Sequence, residues 1–158
     1  MMQLNNIPVA KAEMQIRKPV GAVFEAFVDP SVTSKFWFTK GSGRLDQDKH
    51  VQWDWEMYKF SAQVTVKELE KDRCIVVDWG AYGEPTEIEW TFKALPDNTT
   101  FVTVKNSGFK GEADQIVEQA IGSTEGFAFV LAGAKAYLEH GLELNLVRDR
   151  MPEALGQK

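Results

Sequence analysis

The chain has 158 residues, enough for one domain that buries about two thirds of its unfolded surface without disulfide or metal support. Its composition, 44% hydrophobic and 26% charged, is ordinary for a globular protein, and no apolar run approaches the roughly 20 residues of a membrane span. The net charge of -5 argues against a nucleic-acid partner, because phosphate backbones are bound by clustered Lys and Arg.

Cysteine and histidine usage argues against metal or thiol chemistry. Cys74 is the only cysteine, and it lies in the apolar run CIVVDW, where a free cysteine usually packs as a small hydrophobe. The two histidines, His50 and His140, lack metal-ligand spacing. We therefore expect no metal, no cofactor and no catalytic residue of these types. The N-terminus lacks the features of a secretory signal, so the predicted location is the cytoplasm.

The periodicity of apolar residues divides the chain into three parts. Residues 1–10 show no clear period and are predicted to be a loosely held lead-in segment. Residues 11–146 are predicted to form a single domain. Residues 147–158 are polar and interrupted by proline, so we expect a C-terminal tail with no role in the core.

The domain is predicted to begin with a strand followed by two short helices. Apolar and polar residues alternate over 12–16, which indicates a half-buried strand. Pro19 suits the first position of a helix that ends at Asp29-Pro30. Asp29 can then cap a second helix that carries Phe36, Trp37 and Phe38 at its end. Since one helix cannot bury three consecutive rings in one direction, at least one should face solvent or a cavity entrance.

From Arg44 onward the period changes to two for about 60 residues, which predicts antiparallel strands joined by short turns. Asn106 shares the parity of Val102 and Val104 and is the best inward polar candidate, although it could simply bond backbone at the strand end. These inward assignments depend on the alternation of residues along each strand, which one bulge would invert. The assignments of Trp79 and Asn106 are the most sensitive to that error. The tryptophans on inward faces are Trp53, Trp55, Trp79 and Trp90.

The longest helical pattern runs from Ser123 to Leu146, with Ser123 as a candidate N-cap. A separate short helical stretch is predicted near 114–120. An antiparallel sheet buries one face, and the long helix has a complementary apolar stripe. The sequence therefore predicts an α+β fold, with a curved antiparallel sheet of about seven strands wrapped around a long C-terminal helix and two short helices after strand one.

This order of elements resembles the helix-grip superfamily of Bet v 1-like and START-related proteins, and within it the bacterial Activator-of-Hsp90-ATPase-homologue-like proteins. The resemblance extends over nearly the whole chain. Phe127 stands where such proteins are expected to carry Trp, and Asn106 where His is frequent. The matching segments are the first strand and helix up to Asp29-Pro30, Phe36-Trp37-Phe38, CIVVDW, TFVTVKNSGF and EGFAFVLAGAKAYLE.

The resemblance implies a hollow between the sheet and the long helix, in which related proteins bind lipids, sterols, polyketides or other apolar molecules. Each aromatic residue could instead be ordinary core. Asn106, with Tyr82 near the mouth, would orient a polar group of the ligand. The predicted cavity walls are Trp37, Trp53, Trp55, Trp79, Trp90, Phe127 and Leu131.

Three functional hypotheses follow. The first is binding of a small hydrophobic or aromatic ligand in this hollow. The second is a cyclase or dehydratase on the same scaffold, which would need an inward titratable group that the sequence does not place. The third is an interaction module for an Hsp90-type chaperone, which the acidic single domain makes less favoured. A homodimer through a strand edge or the 36–38 aromatics is also open.

Overall fold

A computed structural model of the protein describes residues 4–80, 85–152 and 155. The predicted site residue Tyr82 lies outside these residues. The strands are β1 (Ala10–Ile16), β2 (Lys40–Gly41), β3 (His50–Trp55), β4 (Phe60–Glu70), β5 (Cys74–Gly80), β6 (Thr86–Ala94) and β7 (Thr100–Ser107). The helices are α1 (Val20–Val28), α2 (Pro30–Thr33), α3 (Ala113–His140) and α4 (Leu146–Asp149), with a short 3-10 turn at Glu56–Tyr58.

The seven strands form one antiparallel sheet in the order β1-β7-β6-β5-β4-β3-β2. The chain thus runs as a meander from β2 to β7, and β7 then pairs with β1. Helix α3 packs against this sheet, and its residues Phe127, Val130 and Leu131 join the same core as the inward strand residues. These features confirm the predicted helix-grip fold. None of the described helices is long and apolar enough to cross a membrane.

The aromatic run after α2 differs from its prediction. Asp29 caps α2 as expected, its carboxylate accepting the Ser31 backbone N–H at 3.0 Å. However, α2 ends at Thr33, so Phe36, Trp37 and Phe38 lie on non-helical backbone that can direct three successive rings into the interior. All three are buried, so none faces bulk solvent, and of the two expected surroundings it is a cavity that one of them, Trp37, lines.

Helix α3 is longer at its start than the sequence predicts. The separate stretch at 114–120 and the helix from Ser123 are one continuous helix that begins at Ala113, so Ser123 is an interior residue and not an N-cap. Glu112 caps it in a capping box with Gln115, a pattern without the usual Ser or Thr. The helix ends at His140 and is capped by Gly141, whose φ of 67° lies in the left-handed region that favours glycine.

A bulge in β4 leaves the inward faces of the sheet intact. The register shifts between Val66 and Glu68, which turns Glu68 outward and brings Leu69 against the core. Because Trp79 pairs with Val64, on the other side of this shift, its parity is unaffected. Trp79 and Asn106 therefore both face the interior, as the alternation predicted.

A polar clamp ties the C-terminal part of α3 to β1. The Glu139 carboxylate accepts the Arg17 backbone N–H and an N–H of Lys135, both at 2.7 Å. Lys135 also donates to the Gln15 carbonyl oxygen at 2.9 Å. Burial raises the pKa of Glu139, but the hydrogen bonds from Lys135 and Arg17 outweigh it, so its pKa lies below the ordinary value.

The segment after α3 packs against the domain, contrary to the expectation of a tail without a core role. Val147 of α4 contacts the main core, and its carbonyl oxygen accepts the hydroxyl of Tyr58. Arg150 pairs with Glu125 of α3 at 2.6 Å. The polar composition of this segment concealed these contacts, because they use one apolar side chain, a backbone carbonyl and an ion pair.

Candidate functional site

A pocket of about 740 Å³ lies between the sheet, the N-terminal half of α3 and the segment of α4. Its size falls in the range of small-molecule sites, and its surface is mainly apolar. Three of its lining rings, Trp37, Trp79 and Phe127, contact one another at centroid distances of 5.7 to 6.1 Å and form one continuous aromatic wall. The apolar side chains that line it are Trp37, Tyr58, Phe60, Trp79, Phe109, Phe127, Phe129, Val130, Val147 and Met151.

Two glycines of α3 form part of the pocket wall. Gly122 and Gly126 are four residues apart and therefore lie on the same face of the helix. A Cβ added at either position would meet nothing within 4 Å among the described residues. Glycine inside a helix is less favourable than alanine by about 1 kcal/mol. The helix thus gives up intrinsic stability at the two positions where side chains would narrow the pocket.

A chain of hydrogen bonds forms the polar end of the pocket. The Trp79 indole N–H donates to the Thr86 hydroxyl oxygen at 3.1 Å, and the Asn106 amide donates to the same oxygen at 2.9 Å. The Asn106 amide also donates to the Glu87 carbonyl oxygen at 2.8 Å. The Ser123 hydroxyl donates to the side-chain amide oxygen of Asn106, Oδ1, at 2.8 Å. These bonds join strands β5, β6 and β7 to helix α3.

Charged groups lie at the rim. Glu125 and Arg150 both line the pocket, and they are paired with each other, with the Arg150 Nε 2.6 Å from the carboxylate. Tyr58 lines the pocket next to them and donates its hydroxyl to α4 backbone. The rim is therefore closed on one side by contacts between α3, α4 and the turn after β3.

Four of the predicted site residues line the pocket. Trp37, Trp79, Asn106 and Phe127 all contribute to its surface. Phe127 packs edge to face on Trp37, with ring centroids 5.7 Å apart. Asn106 is buried and uses its amide in the network just described, so it has both the backbone contact and the inward orientation that the sequence left open.

The other four described residues of the prediction, which are Trp53, Trp55, Trp90 and Leu131, do not line the pocket formed by the described residues. All four are buried. Trp37 lines the pocket and also contacts Trp53, Trp55 and Trp90, at centroid distances of 4.9, 5.9 and 5.9 Å, so these three rings lie behind it. Strand parity indicates that a residue faces inward, but not whether a neighbouring side chain fills the space in front of it.

Several pocket residues were missed by sequence reasoning. Thr86 has the same parity as Ile88 and Trp90, so alternation could have placed it inward. Ser123 was predicted to be a helix N-cap, because the long helical pattern was expected to begin there. Val147 and Met151 carried no usable signal, because nothing in a polar segment after a helix predicts where that segment packs.

Other reactive side chains lie away from the pocket. Burial, together with the nearby carboxylates Glu68, Glu89 and Glu70, raises the pKa of the Cys74 thiol to about 11, so the thiol stays protonated at neutral pH. Asp54, whose pKa is lowered by hydrogen bonds from Ser61 and Gln52, does not line the pocket either. Among the residues that the structure describes, no group of His, Cys, Asp or Glu could hold a metal ion.

The curved sheet, the long helix and the pocket between them define a protein of the Bet v 1-like helix-grip class. The sequence model of the family described as "Activator of Hsp90 ATPase homolog 1-like protein" matches residues 17–139, and the chain belongs to this family. No curated protein matches the chain in sequence.

Solved structures agree with this assignment. The protein SSP2350 from Staphylococcus saprophyticus is 32% identical, with a TM-score of 0.74 over 87% of this chain and 96% of that one. An Aha1 dimer from Colwellia psychrerythraea is 17% identical, with a TM-score of 0.72 over 85% and 98% of the two chains. DynU16, from the dynemicin biosynthetic locus, is 18% identical, with a TM-score of 0.74 over 85% of this chain but 48% of its own. The last two similarities extend to the fold alone.

Proposed function

We propose that this protein binds a small hydrophobic or aromatic molecule in the pocket between the sheet and the N-terminal half of α3. The observation that carries the proposal is the pocket of about 740 Å³ with an aromatic wall and one polar end. Trp37, Trp79 and Phe127 supply flat apolar surface for a ligand, and the groups around Asn106 orient its polar part.

The two glycines on the pocket face of α3 support a binding role. A helix that served only to cover a sheet would gain stability from alanine or leucine at Gly122 and Gly126, because both sites have room for a side chain. Glycine at both positions instead keeps the volume of the pocket open. This is the expected pattern when the empty volume is used by a ligand.

Binding is favoured over the cyclase or dehydratase alternative by the charges in the pocket. Among the described residues, the charged side chains that line it are Glu125 and Arg150, and they neutralise each other at the rim. The groups at the inner end, Thr86, Asn106 and Ser123, are neutral hydroxyls and an amide. General acid-base chemistry requires a titratable group at the reacting atoms, whereas neutral polar groups suffice to orient a bound molecule.

The expectations about the protein's partners and cellular location are part of this proposal. A homodimer stays open, and the Colwellia relative is an Aha1 dimer. An Hsp90-type chaperone remains the less favoured partner, and the cytoplasm remains the proposed location.

Native mass spectrometry of the purified protein, before and after incubation with naphthalene, flavonoid and sterol probes, tests the proposal. We expect a one-to-one adduct with at least one probe class. Gly126→Leu should abolish the adduct and yet stay folded, because the new side chain enters empty pocket volume.

The matched control is Ala128→Leu, which places the same side chain on the exposed face of the same helix. It should bind like the wild-type protein. If Gly126→Leu binds every probe as well as Ala128→Leu does, the pocket is not the binding site and the proposal fails.

A further inference from the structure

The hydrogen-bond network at the polar end of the pocket has a fixed direction. Asn106 contacts the Glu87 carbonyl oxygen, which only accepts, so the contacting atom of Asn106 must be its amide nitrogen. The same nitrogen donates to Thr86 Oγ1. Both amide hydrogens of Asn106 are therefore used, and its oxygen is the atom that receives the Ser123 hydroxyl. Hence Asn106 has no hydrogen left to offer a ligand.

Thr86 occupies a different position in this network. Its hydroxyl oxygen receives two N–H groups, from Trp79 and from Asn106, and an indole N–H can only donate. A hydroxyl has two acceptor lone pairs and one hydrogen. With both lone pairs occupied, Thr86 can act further only as a donor, and no acceptor for its hydrogen occurs among the described residues.

We propose that Thr86 is the residue that selects the ligand, and that its hydroxyl donates to an uncharged acceptor such as a ketone or ester carbonyl. This proposal rests on the proposed function of the pocket. The two N–H bonds to its oxygen also polarise the Thr86 hydroxyl and strengthen it as a donor. The donor lies beside the Trp79 ring, so the carbonyl should be conjugated with, or adjacent to, a flat apolar group.

The same network disfavours ionised ligands at this end. The oxygens of Ser123 and Asn106 keep unused lone pairs near Thr86, and these repel a carboxylate. The pocket's Arg150 lies at the rim, where it is already paired with Glu125. Lys110 lies nearby, but its ammonium donates to the carbonyl oxygens of Pro85 and Gly108, at 3.5 and 3.4 Å, and it does not line the pocket formed by the described residues. A carboxylate at the polar end would thus lose its hydration without a direct contact to a cation. We therefore expect a neutral carbonyl compound and not a fatty acid anion.

The test compares three probes of similar shape by isothermal titration. These are methyl naphthyl ketone, isopropenyl naphthalene, in which a methylene replaces the carbonyl oxygen, and naphthoate. One neutral hydrogen bond corresponds to about a fivefold difference in Kd. We expect the wild-type protein to bind the ketone about fivefold more tightly than the alkene, and naphthoate more weakly than either.

Two variants assign the preference to Thr86. Thr86→Val should bind the ketone and the alkene equally, with the alkene Kd unchanged, whereas Thr86→Ser keeps the hydroxyl and should retain the preference. Infrared spectra of bound, carbon-labelled ketone give a second measurement on wild-type protein, since a donated hydrogen bond lowers the carbonyl stretching frequency. Thr86→Val would return the frequency to that of the ketone in hexane.

The outcomes separate this proposal from the proposed function. If the ketone and the alkene bind wild-type protein equally, or if Thr86→Val keeps the preference, Thr86 does not select the ligand, although the pocket still binds. Tightest binding by naphthoate would show that the site takes an anion, and would overturn the proposal too. If none of the probes binds, the pocket function fails and this proposal with it. Should Thr86→Val not fold, the wild-type titrations and infrared spectra still decide.

Discussion

The two halves of α3 use glycine for opposite purposes. In the C-terminal half, a Cβ added to Gly133 would lie 3.2 Å from Phe36 Cβ and 3.4 Å from its carbonyl oxygen, so even one methyl group would require Phe36 to shift by a few tenths of an ångström. In the N-terminal half, Gly126 faces the pocket, and a Cβ there would meet nothing within 4 Å among the described residues. Gly133 thus allows α3 to pack closely against Phe36, whereas Gly126 leaves the space beside the helix open.

The residues around the two glycines show the same contrast between a packed half and an open half of α3. Leu131 and Ala134 beside Gly133 have no exposed surface and belong to the main core. The pocket half instead carries Ser123, whose hydroxyl completes the polar network. A single helix can therefore be close-packed core along one half and binding-site wall along the other, because each part of the sheet presents a different set of side chains to it.

The largest expected effect comes from placing a large side chain in the packed half of α3. Gly133→Leu should lower the free energy of unfolding by about 3 kcal/mol, because overpacking a close backbone approach forces neighbouring segments apart. The measurement is urea unfolding followed by circular dichroism.

Gly126→Leu is the control for this experiment, because it makes the same change in the same helix where space is open. It should unfold at the same or a higher urea concentration than the wild-type protein. Equal destabilisation of the two variants would contradict the distinction between the packed and the open half.

The sequence was sufficient to predict the sheet because alternation is a local signal. Positions such as Val51, Val64 and Val102 face inward in the structure as their parity indicates. The bulge at Val66 and Glu68 did not affect Trp79, because it lies beyond the point where Val64 pairs with Trp79. Local patterns determine the facing of a strand even when its register changes further along.

The sequence was less informative about the site, because a pocket depends on volume that side chains leave unfilled. Trp53 and Trp79 are indistinguishable by pattern, yet Trp53 stacks on Phe38 with ring centroids 5.1 Å apart while Trp79 lines the pocket. The start of α3 was misplaced for a related reason. Ser123 was predicted to be an N-cap, although it is an interior residue that lines the pocket.

The clamp at the packed end of α3 predicts a pH dependence. Since the pKa of Glu139 is lower in the folded protein than its ordinary value, the clamp stabilises the fold at neutral pH. This stabilisation is lost as the pH falls below about 4.3 and through the lowered pKa. Glu139→Gln should lower the free energy of unfolding at pH 7 by about 1–2 kcal/mol and reduce its loss on acidification.

Urea unfolding between neutral and acidic pH measures both effects. Glu143→Gln is the matched control, because it removes an exposed carboxylate just beyond the helix. That control should follow the wild-type curve. If Glu139→Gln follows it as well, the clamp does not contribute to stability.

The smallest expected effect is also the one that most directly tests the use of the open half. Gly126→Ala should raise the free energy of unfolding by about 0.5–1 kcal/mol, because alanine is the better helix former and its methyl group meets no neighbour. The same methyl group enters the pocket, so binding of a large aromatic probe should weaken while the fold becomes more stable. Thermal unfolding and titration on one preparation measure both quantities. A gain in stability without any change in affinity would mean that bound ligand does not reach this part of the helix, and would confine the binding site to the side of the pocket around Trp79 and Thr86.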